Sequence, residues 1–267
     1  MKVNGWLRSA TKQLETADIG TARLDCLVLL EDALGKDRSY LLANPDISIS
    51  TEVLDGLDEQ IKRRSQHIPL SQIRGKTEFY GREFIINEHV LEPRPESETM
   101  IDLLLELELP KDSQIVDVGT GSGALGITAK LELPEINVML VDIDQACLAV
   151  AKKNAKKHTV VVEIIKNDLL PTEARTMTVL ANLPYVPENY QINQAAMNEP
   201  RQAIFGGKDG LDVYRRLFEQ ITNSENKPIY LCCESLPFQH ETLKAIAQKS
   251  GYKLHKEADF IQVFQKA

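Results

Sequence analysis

From about residue 97 onward, short apolar runs alternate with helical stretches, and this alternation constrains the fold more than any other feature of the chain. It predicts a mainly parallel β-sheet with helices on both faces. The segment KEAD at 256–259 is too short to hold a crossover helix, so the last two strands should form an antiparallel hairpin at the sheet edge. We expect seven strands, at 114–118, 137–142, 160–165, 177–181, 228–233, 251–256 and 260–265.

The chain before this region has a different pattern of apolar and polar residues. Residues 1–70 show helical periodicity alone, with one apolar stripe on the first helix, and predict a small N-terminal helical bundle. Because the bundle contains no motif that carries chemistry, we assign it a role in partner recognition. Residues 71–93, where REFIINEHVL alternates like a strand, are expected to form a β-hairpin linker. Residues 94–267 would then form the α/β domain.

The net charge indicates which kinds of partner the chain can bind, and the cysteines indicate its cellular compartment. The net charge of −8 argues against a protein that grips nucleic acid through phosphates. No apolar run approaches the roughly 20 residues of a membrane span, and the first residues lack the pattern of a signal peptide. Four cysteines form no CxxC pair, which favours reduced thiols and a cytoplasmic location. Five scattered histidines predict no metal site.

A glycine loop joins the first predicted strand of the sheet to a helix, in SQIVDVGTGSGALGITAK. Its three glycines permit a tight turn and close approach of a ligand to the backbone. The helix N-terminus behind the loop offers free N–H groups. The loop also satisfies a dinucleotide fingerprint, so NAD is a rival ligand. The residues predicted to contact the cofactor here are Gly119, Thr120, Gly121, Ser122 and Gly123.

Acidic residues at three successive strand ends distinguish between the two cofactors. Asp117, just before the glycine loop, would repel a pyrophosphate and suits a cationic amino-acid group. Asp142 ends the second strand, where a carboxylate can hold two ribose hydroxyls. Asp168 follows the third strand and can accept from an adenine amino group. S-adenosylmethionine has a ribose, an adenine and a positive charge but no phosphate, and we therefore favour it over NAD.

The fourth strand ends in the tetrad Asn182, Leu183, Pro184 and Tyr185. An amide or exocyclic amine nitrogen is a poor nucleophile, because its lone pair is delocalised. The Asn182 side-chain oxygen and the Leu183 carbonyl can accept its two N–H bonds and leave the lone pair directed at a methyl group. Pro184 would stiffen the turn, and Tyr185 would stack on the planar group. Orientation of this kind can supply roughly 7–11 kcal/mol of the barrier.

These motifs, with others along the chain, resemble the class I S-adenosylmethionine-dependent methyltransferases. Within them, the chain is similar to the HemK-type N5-glutamine methyltransferases of peptide-chain release factors. VLEPRPESE is close to that family's PRPETE segment. The resemblance covers most of the chain, through DCLVLL, GKTEFYGREF, VLEPRPESE, VDVGTGSGALGI, VDIDQACLAVAKKNAKKH, ANLPYVP and EPRQAIFGGKDGLDVYRRL.

The resemblance implies a seven-stranded Rossmann-like methyltransferase fold. We also expect the enzyme to be a monomer. Its substrate would be the glutamine of a Gly-Gly-Gln loop in a release factor, with the tetrad holding the side-chain amide. It also implies that the N-terminal bundle recognises the release factor. Leu169 would join Asp168 at the cofactor, and Arg94, Glu96 and Glu199 would lie beside the substrate.

Three positions depart from the family pattern. The family has NPPY where this chain has Leu183, and NLPY is also similar to the tetrad of ribosomal RNA adenine dimethyltransferases. The segment ESLPFQ keeps Glu234 and Gln239 but has Leu236 where the family has glycine. The last strand, DFIQVFQ, lacks the family's arginine.

Other functions remain open from the sequence alone. An adenine-N6 methyltransferase acting on RNA or DNA would present the same planar amine to the same tetrad. A binding or scaffold protein with a decayed site is a second alternative, and an NAD oxidoreductase is a third. The acidic charge and the GGKDGL segment argue against the first, while the intact glycine loop and tetrad argue against the second.

Overall fold

The computed structural model describes residues 1–171 and 177–267 of the 267-residue chain. These residues form two compact units, Met1–Gly75 with Asn193–Asn198, and Lys76–Ile192 with Glu199–Ala267. Within the described part of the chain, no helix combines the length and the apolar character needed to cross a bilayer.

The first unit contains a helical bundle. Helix α1 buries Val3, Trp6, Leu7, Ala10 and Leu14, the stripe that its periodicity predicts. Helix α2 ends at Gly35, which adopts a left-handed φ of 61°. The helices in order are α1 (Val3–Thr16), α2 (Ala22–Leu34), α3 (Arg38–Ala43), α4 (Thr51–Ser65) and α5 (Leu70–Arg74).

The second unit begins with an antiparallel hairpin of β1 (Lys76–Phe79) and β2 (Arg82–Ile85). Its main sheet has seven strands among the described residues, in the order β5-β4-β3-β6-β7-β9-β8. Strands β3 to β7 are parallel, and β9 pairs antiparallel with both β7 and β8. The strands are β3 (Gln114–Val118), β4 (Asn137–Asp142), β5 (Glu163–Lys166), β6 (Met177–Ala181), β7 (Tyr230–Glu234), β8 (Tyr252–Ala258) and β9 (Ile261–Lys266).

The predicted α/β fold is therefore confirmed, including the antiparallel C-terminal hairpin. Strand β5 begins later than the predicted residue 160, because the chain is still leaving the preceding helix there. Thr159 adopts a left-handed φ of 56°, and the Val160 N–H donates to the Ala155 carbonyl in that helix. Val161 is 88% exposed and joins no strand.

Helices cover both faces of the sheet. One face packs Ile115, Leu140 and Leu180 against buried residues of α6, α7 and α8. The other packs Val116, Val179 and Leu231 against α10 and α11. These runs are apolar on both sides because a parallel sheet is buried on both faces. The helices of this unit are α6 (Glu98–Leu105), α7 (Ala124–Glu132), α8 (Gln145–Lys157), α9 (Arg201–Ile204), α10 (Asp212–Asn223) and α11 (His240–Lys249).

The order of strands fixes where a ligand can bind. Chain connections run outward in opposite directions from β3, toward β4 on one side and β6 on the other. Open α/β sheets bind ligands at such a reversal, beyond the carboxyl ends of the strands. Val118 and Ala181 are register partners at these ends, so the glycine loop and the tetrad begin side by side.

Candidate active site

The loop after β3 is held in shape by Asp117. Its Oδ2 atom accepts from Thr120 Oγ1 at 2.5 Å and from the Gly126 N–H at 2.9 Å. Asp117 is 1% exposed, and burial raises its pKa to about 6. Left-handed φ values of 55° to 82° explain the need for the three glycines, Gly119, Gly121 and Gly123.

The carboxylate of Asp142, at the end of β4, also supports the loop. Its Oδ2 accepts from the Gly121 N–H and its Oδ1 from the Asp144 N–H, both at 2.9 Å. Burial raises the pKa of Asp142. Each carboxylate oxygen can accept a second hydrogen bond, so Asp142 retains capacity for two ribose hydroxyls.

The glycine loop is a poor phosphate site. The Thr120 N–H donates to the Val141 carbonyl at 2.9 Å, and the Gly123 N–H donates to the Thr120 carbonyl at 2.8 Å. With the Gly121 N–H bonded to Asp142, three loop donors are already used inside the protein. Two carboxylates stand next to them. A pyrophosphate would meet occupied donors and like charge, which disfavours a dinucleotide.

The residues after β5 form a tight turn at the same edge of the sheet. Asp168, predicted to accept from an adenine, forms an ion pair with Arg216 of α10. Leu169 is 7% exposed and adopts a left-handed φ of 68°, which is uncommon for a residue with a side chain. The Asn167 side-chain amide supports the turn by donating to the Leu170 carbonyl at 2.8 Å.

A cavity at the carboxyl ends of β3 to β6 brings most of the predicted residues together. Those that line it are Asp117, Gly119, Thr120, Gly121, Ser122, Asp142, Asp168, Leu169, Asn182, Leu183 and Pro184. The remaining predicted residues lie outside its lining, although the structure describes them all: Arg94, Glu96, Gly123, Tyr185 and Glu199. Gly123 instead allows close helix packing, since an added Cβ would lie 2.8 Å from Ile127 and 3.2 Å from Ala151.

Asn182 has a defined amide orientation. Its Nδ2 donates to Ser97 Oγ at 2.9 Å. Among the described residues, no group donates to its Oδ1 or to the Leu183 carbonyl oxygen. The two oxygens that the sequence predicts as acceptors for a planar NH₂ group are therefore both available beside the cavity.

The Leu183 side chain packs against other apolar residues and against the glycine loop. It is 3% exposed and belongs to the apolar cluster on one face of the sheet. Its Cδ2 atom lies 3.0 Å from the position that a Cβ would take on Gly119. Leucine thus packs the tetrad directly onto the glycine loop, at the position where the family has proline.

A hydrogen bond from its hydroxyl holds the Tyr185 side chain in place. Its hydroxyl donates to Glu234 Oε1 at 3.0 Å. Glu234 ends β7 and is fully buried. Burial and the neighbouring Glu234 carboxyl raise the pKa of Tyr185 far above its usual range, so the phenol stays protonated. The ring position is therefore set by a partly buried hydrogen bond.

The GGKDGL segment packs against the tetrad backbone, which explains its glycines. A Cβ on Gly206 would lie 2.2 Å from the Pro184 carbonyl oxygen, and one on Gly210 would lie 2.0 Å from that of Tyr185. The Gln239 side-chain amide bridges the two segments, because its Nε2 donates to the Tyr185 carbonyl at 2.8 Å and to the Asp209 carbonyl at 2.7 Å.

Arg94 and Glu199 act on each other rather than on the cavity. They form an ion pair in which the Glu199 side chain is 1% exposed. The Glu199 Oε1 atom also accepts from the Glu92 N–H at 3.1 Å. Burial raises the pKa of Glu199, and Arg94 opposes that rise. The pair joins the PRPE segment to the residues before α9, so its observed contacts are structural.

Three residues at the site were not predicted. Ser97 bonds to Asn182, Arg216 pairs with Asp168, and the Tyr214 hydroxyl lies 2.7 Å from the Ala181 carbonyl and next to that of Glu234. Tyr214 therefore joins the ends of β6 and β7. Both Tyr214 and Arg216 lie within the quoted EPRQAIFGGKDGLDVYRRL segment, and Ser97 lies within VLEPRPESE, but no local pattern identifies their partners.

The side chains present fit S-adenosylmethionine. The cavity offers carboxylates at Asp117 and Asp142 for a cation and a ribose, and apolar surface at Leu169 and the 61% exposed Ile143 for a flat base. Three N–H donors of its glycine loop, those of Thr120, Gly121 and Gly123, are already bonded within the protein, which disfavours a pyrophosphate. Among residues 1–171 and 177–267, no group of His, Cys, Asp or Glu side chains is arranged to hold a metal ion.

Comparison with known proteins agrees with the geometry. Residues 5–75 match the family described as the PrmC N-terminal domain, and residues 97–204 match the methyltransferase small domain. A protein of Koribacter versatilis named release factor glutamine methyltransferase is 38% identical over 222 residues, or 80% of this chain and 79% of that protein. A protein of the same name from Bacillus anthracis is 36% identical over 244 residues, or 87% of this chain and 86% of that one.

A solved structure supports the fold alone. The catalytic domain of hMettl16, determined in complex with an MAT2A 3′UTR hairpin, superposes with a TM-score of 0.54. The alignment covers 80% of this chain and 82% of that one at 13% identity. At this identity the likeness carries information on architecture and none on substrate.

Proposed function

The chain belongs to the release factor glutamine methyltransferase family, and we propose that it transfers a methyl group from S-adenosylmethionine to the side-chain amide nitrogen of a release factor glutamine. The glutamine would be that of the Gly-Gly-Gln loop. The chain is then an S-adenosylmethionine-dependent protein-(glutamine-N5) methyltransferase. The curated relatives support the glutamine substrate over adenine, over NAD chemistry and over a non-catalytic scaffold.

One observation carries the proposal. Asn182 Oδ1 and the Leu183 carbonyl oxygen lie at the end of β6 with no donor from the described residues, while Asn182 Nδ2 is bonded to Ser97. Two fixed acceptors match the two N–H bonds of a primary amide. An enzyme that accepts both bonds holds the nitrogen lone pair in one direction and needs no general base before transfer.

The cofactor roles follow from the cavity lining. Bound there, S-adenosylmethionine supplies an electrophilic methyl group. We assign the amino-acid part to Asp117 and the glycine loop, the ribose to Asp142, and the adenine to Asp168 and Leu169.

The substrate contacts are less direct for some predicted residues. We propose that Tyr185 stacks on the glutamine amide from the position that Glu234 gives it. Arg94, Glu96 and Glu199 would act by supporting the PRPE segment beside the substrate. The ion pair of Arg94 with Glu199 and the bond from the Glu92 N–H to Glu199 support this indirect role for those two residues.

We propose a division of labour along the chain. Residues 1–70 would recognise the release factor, and residues 71–93 would connect this bundle to the α/β domain. Residues 94–267 would bind the cofactor and transfer the methyl group. Because the proposed substrate works in translation, we propose the cytoplasm as the compartment, and four unpaired buried cysteines support a reducing environment. We propose that the enzyme acts as a monomer, without direct binding of nucleic acid.

The experiment uses methyl-labelled S-adenosylmethionine with the full-length chain and either a release factor or ribosomal RNA. We expect label on the Gly-Gly-Gln glutamine and none on RNA. A release factor with that glutamine replaced by asparagine is the matched control and should stay unlabelled. Label on adenine would contradict the proposal, and cofactor binding without any transfer would support the scaffold alternative.

A further inference from the structure

A buried polar network lies behind Asn182 and is not explained by cofactor binding. Glu234 is fully buried, and its Oε1 accepts from the Tyr185 hydroxyl at 3.0 Å. Its other oxygen, Oε2, is buried with no hydrogen-bond partner of standard geometry among the described residues. A carboxyl group so placed costs stability unless it has a role or a further donor.

Ser97 has a hydroxyl that is available as the missing donor. Its Oγ accepts from Asn182 Nδ2 at 2.9 Å, and Ser97 is 2% exposed. Within the described chain, the hydroxyl proton of Ser97 has no acceptor of standard hydrogen-bond geometry. Ser97 and the Asn182 amide are close enough to the Glu234 carboxyl to lower its pKa. An oxygen without a donor and a hydroxyl without an acceptor thus stand together.

The direction of these hydrogen bonds matters because a serine hydroxyl both donates and accepts. If Ser97 donated to Asn182, the amide would turn over and present Nδ2 to the cavity. A donor there would face the N–H bonds of the substrate amide and repel them. An ionised carboxylate accepts only, so it can force Ser97 to donate toward itself and to accept from Asn182.

We propose that Glu234 and Ser97 are positioning residues that set the hydrogen-bond direction of Asn182. The chain of bonds runs from the substrate N–H to Asn182 Oδ1, from Asn182 Nδ2 to Ser97 Oγ, and from the Ser97 hydroxyl to Glu234 Oε2. The bond from Tyr185 to Oε1 ties the other end of the tetrad to the same carboxylate. This inference rests on the proposed function for its substrate, but the network itself is a property of the protein.

Protonation of Glu234 would remove its control over the direction of the hydrogen bonds of Ser97 and Asn182. Burial raises its pKa to about 7, and the neighbouring Ser97 and Tyr185 hydroxyls oppose the rise. A protonated carboxyl can donate to Ser97 and allow the Asn182 amide to turn over. The other titratable groups around it are Glu96, Tyr185 and Tyr214. Both tyrosines have pKa values raised further above their usual range, so neither titrates near neutral pH.

The kinetic test uses Glu234→Gln and Ser97→Ala in the full-length enzyme with release factor. We expect kcat to fall by about 10²-fold in each, because the acceptor is misplaced, with KM and cofactor affinity little changed. The wild-type rate should increase as pH rises through about 7, and Glu234→Gln should lose that limb. Ser97→Thr keeps the hydroxyl and should restore most of the rate.

Ser235→Ala is the matched control. Ser235 is also fully buried and adjacent to Glu234, but its hydroxyl has no partner in the described chain. It should keep the wild-type rate and pH profile. A rate loss in Ser235→Ala equal to that in Ser97→Ala would overturn the proposal, as would a Glu234→Gln enzyme with an unchanged pH limb.

A second readout does not depend on activity. In ¹⁵N-labelled protein, the Asn182 side-chain protons should exchange slowly with solvent because one is bonded to buried Ser97. The signals are assigned by their loss in Asn182→Asp. Exchange should accelerate at least about 10-fold in Ser97→Ala and stay slow in Ser235→Ala. Unchanged exchange in Ser97→Ala overturns the network even if the release factor proves to be the wrong substrate.

Discussion

Leu183 Cδ2 lies 3.0 Å from the position that a Cβ would occupy on Gly119. Two segments that lie far apart in the chain therefore pack without space between them, the tetrad on one side and the cofactor loop on the other. The contact explains how leucine serves where the family has proline. Its side chain provides by packing the restraint that a proline ring would provide by covalent geometry.

Leu183→Pro should consequently keep the methyl-transfer rate within a few-fold, since the proposed mechanism uses only the backbone carbonyl of this residue. Residues before proline favour extended backbone, which suits Asn182 at a strand end. Lost packing should lower the free energy of unfolding by about 1–2 kcal/mol. Urea denaturation and initial rates measure both effects, and a rate near zero with an intact fold would show that the leucine side chain itself is required.

Asn182→Ala should abolish detectable transfer while most of the affinity for S-adenosylmethionine remains, because it removes the proposed acceptor for one substrate N–H and keeps the acidic residues proposed to hold the cofactor. We expect a loss in kcat of at least about 10²-fold. Isothermal calorimetry and single-turnover assays separate the two quantities. Asn226→Ala, at an exposed position outside the site, is the control. Retained activity in Asn182→Ala would refute the amide-acceptor mechanism.

Gly210→Ala should cost far more stability than Gly251→Ala. Both glycines have left-handed φ values, 81° and 85°, so both substitutions carry about 1–2 kcal/mol of backbone strain. A Cβ on Gly210 would also lie 2.0 Å from the Tyr185 carbonyl oxygen, whereas nothing lies within 4 Å of one on Gly251. For Gly210→Ala alone, we expect the free energy of unfolding to fall by about 1–3 kcal/mol more, the cost of overpacking, and methyl transfer to be slower. Equal unfolding midpoints would contradict the packing argument.

Asp117 should make the protein less stable as pH rises from about 4 to 6. Its pKa is near 3.8 when solvated and is raised to about 6 in the fold, so the folded state binds more protons over this interval. Stability is then present in full below the unfolded pKa and falls until pH passes the folded pKa. The effect is at most about 3 kcal/mol. Asp117→Asn should flatten this part of the stability curve, and an unchanged slope would contradict the assignment.

Arg94→Ala should destabilise the protein by about 2–3 kcal/mol, because it leaves the Glu199 carboxylate buried without its cation. Arg215→Ala provides the comparison. Arg215 pairs with Asp209, but both side chains are more than 40% exposed, and the loss should stay below about 1 kcal/mol. Chemical denaturation of the two variants at neutral pH gives the difference, and similar losses would remove the case for a buried structural pair.

Much of the fold followed from local pattern. The stripe on α1, the strands and the antiparallel hairpin depend on residue spacing, and spacing is visible in one chain. The start of β5 was misplaced, since three consecutive valines favour a strand, while the end of α8 holds Val160 in a helix-terminating turn. The sequence placed Arg94 and Glu199 beside the site but did not predict that they form an ion pair with each other.

The sequence by itself determined the elements, the glycine loop with its acidic partners, and the tetrad at the end of one strand. Only the tertiary structure decided that Asn182 meets Ser97 and that Tyr185 meets Glu234. The order of strands and the path of the crossovers bring these residues together across 85 and 49 positions of the chain. A hydrogen bond depends on distance and direction in space, and neither is expressed in the local periodicity of a sequence.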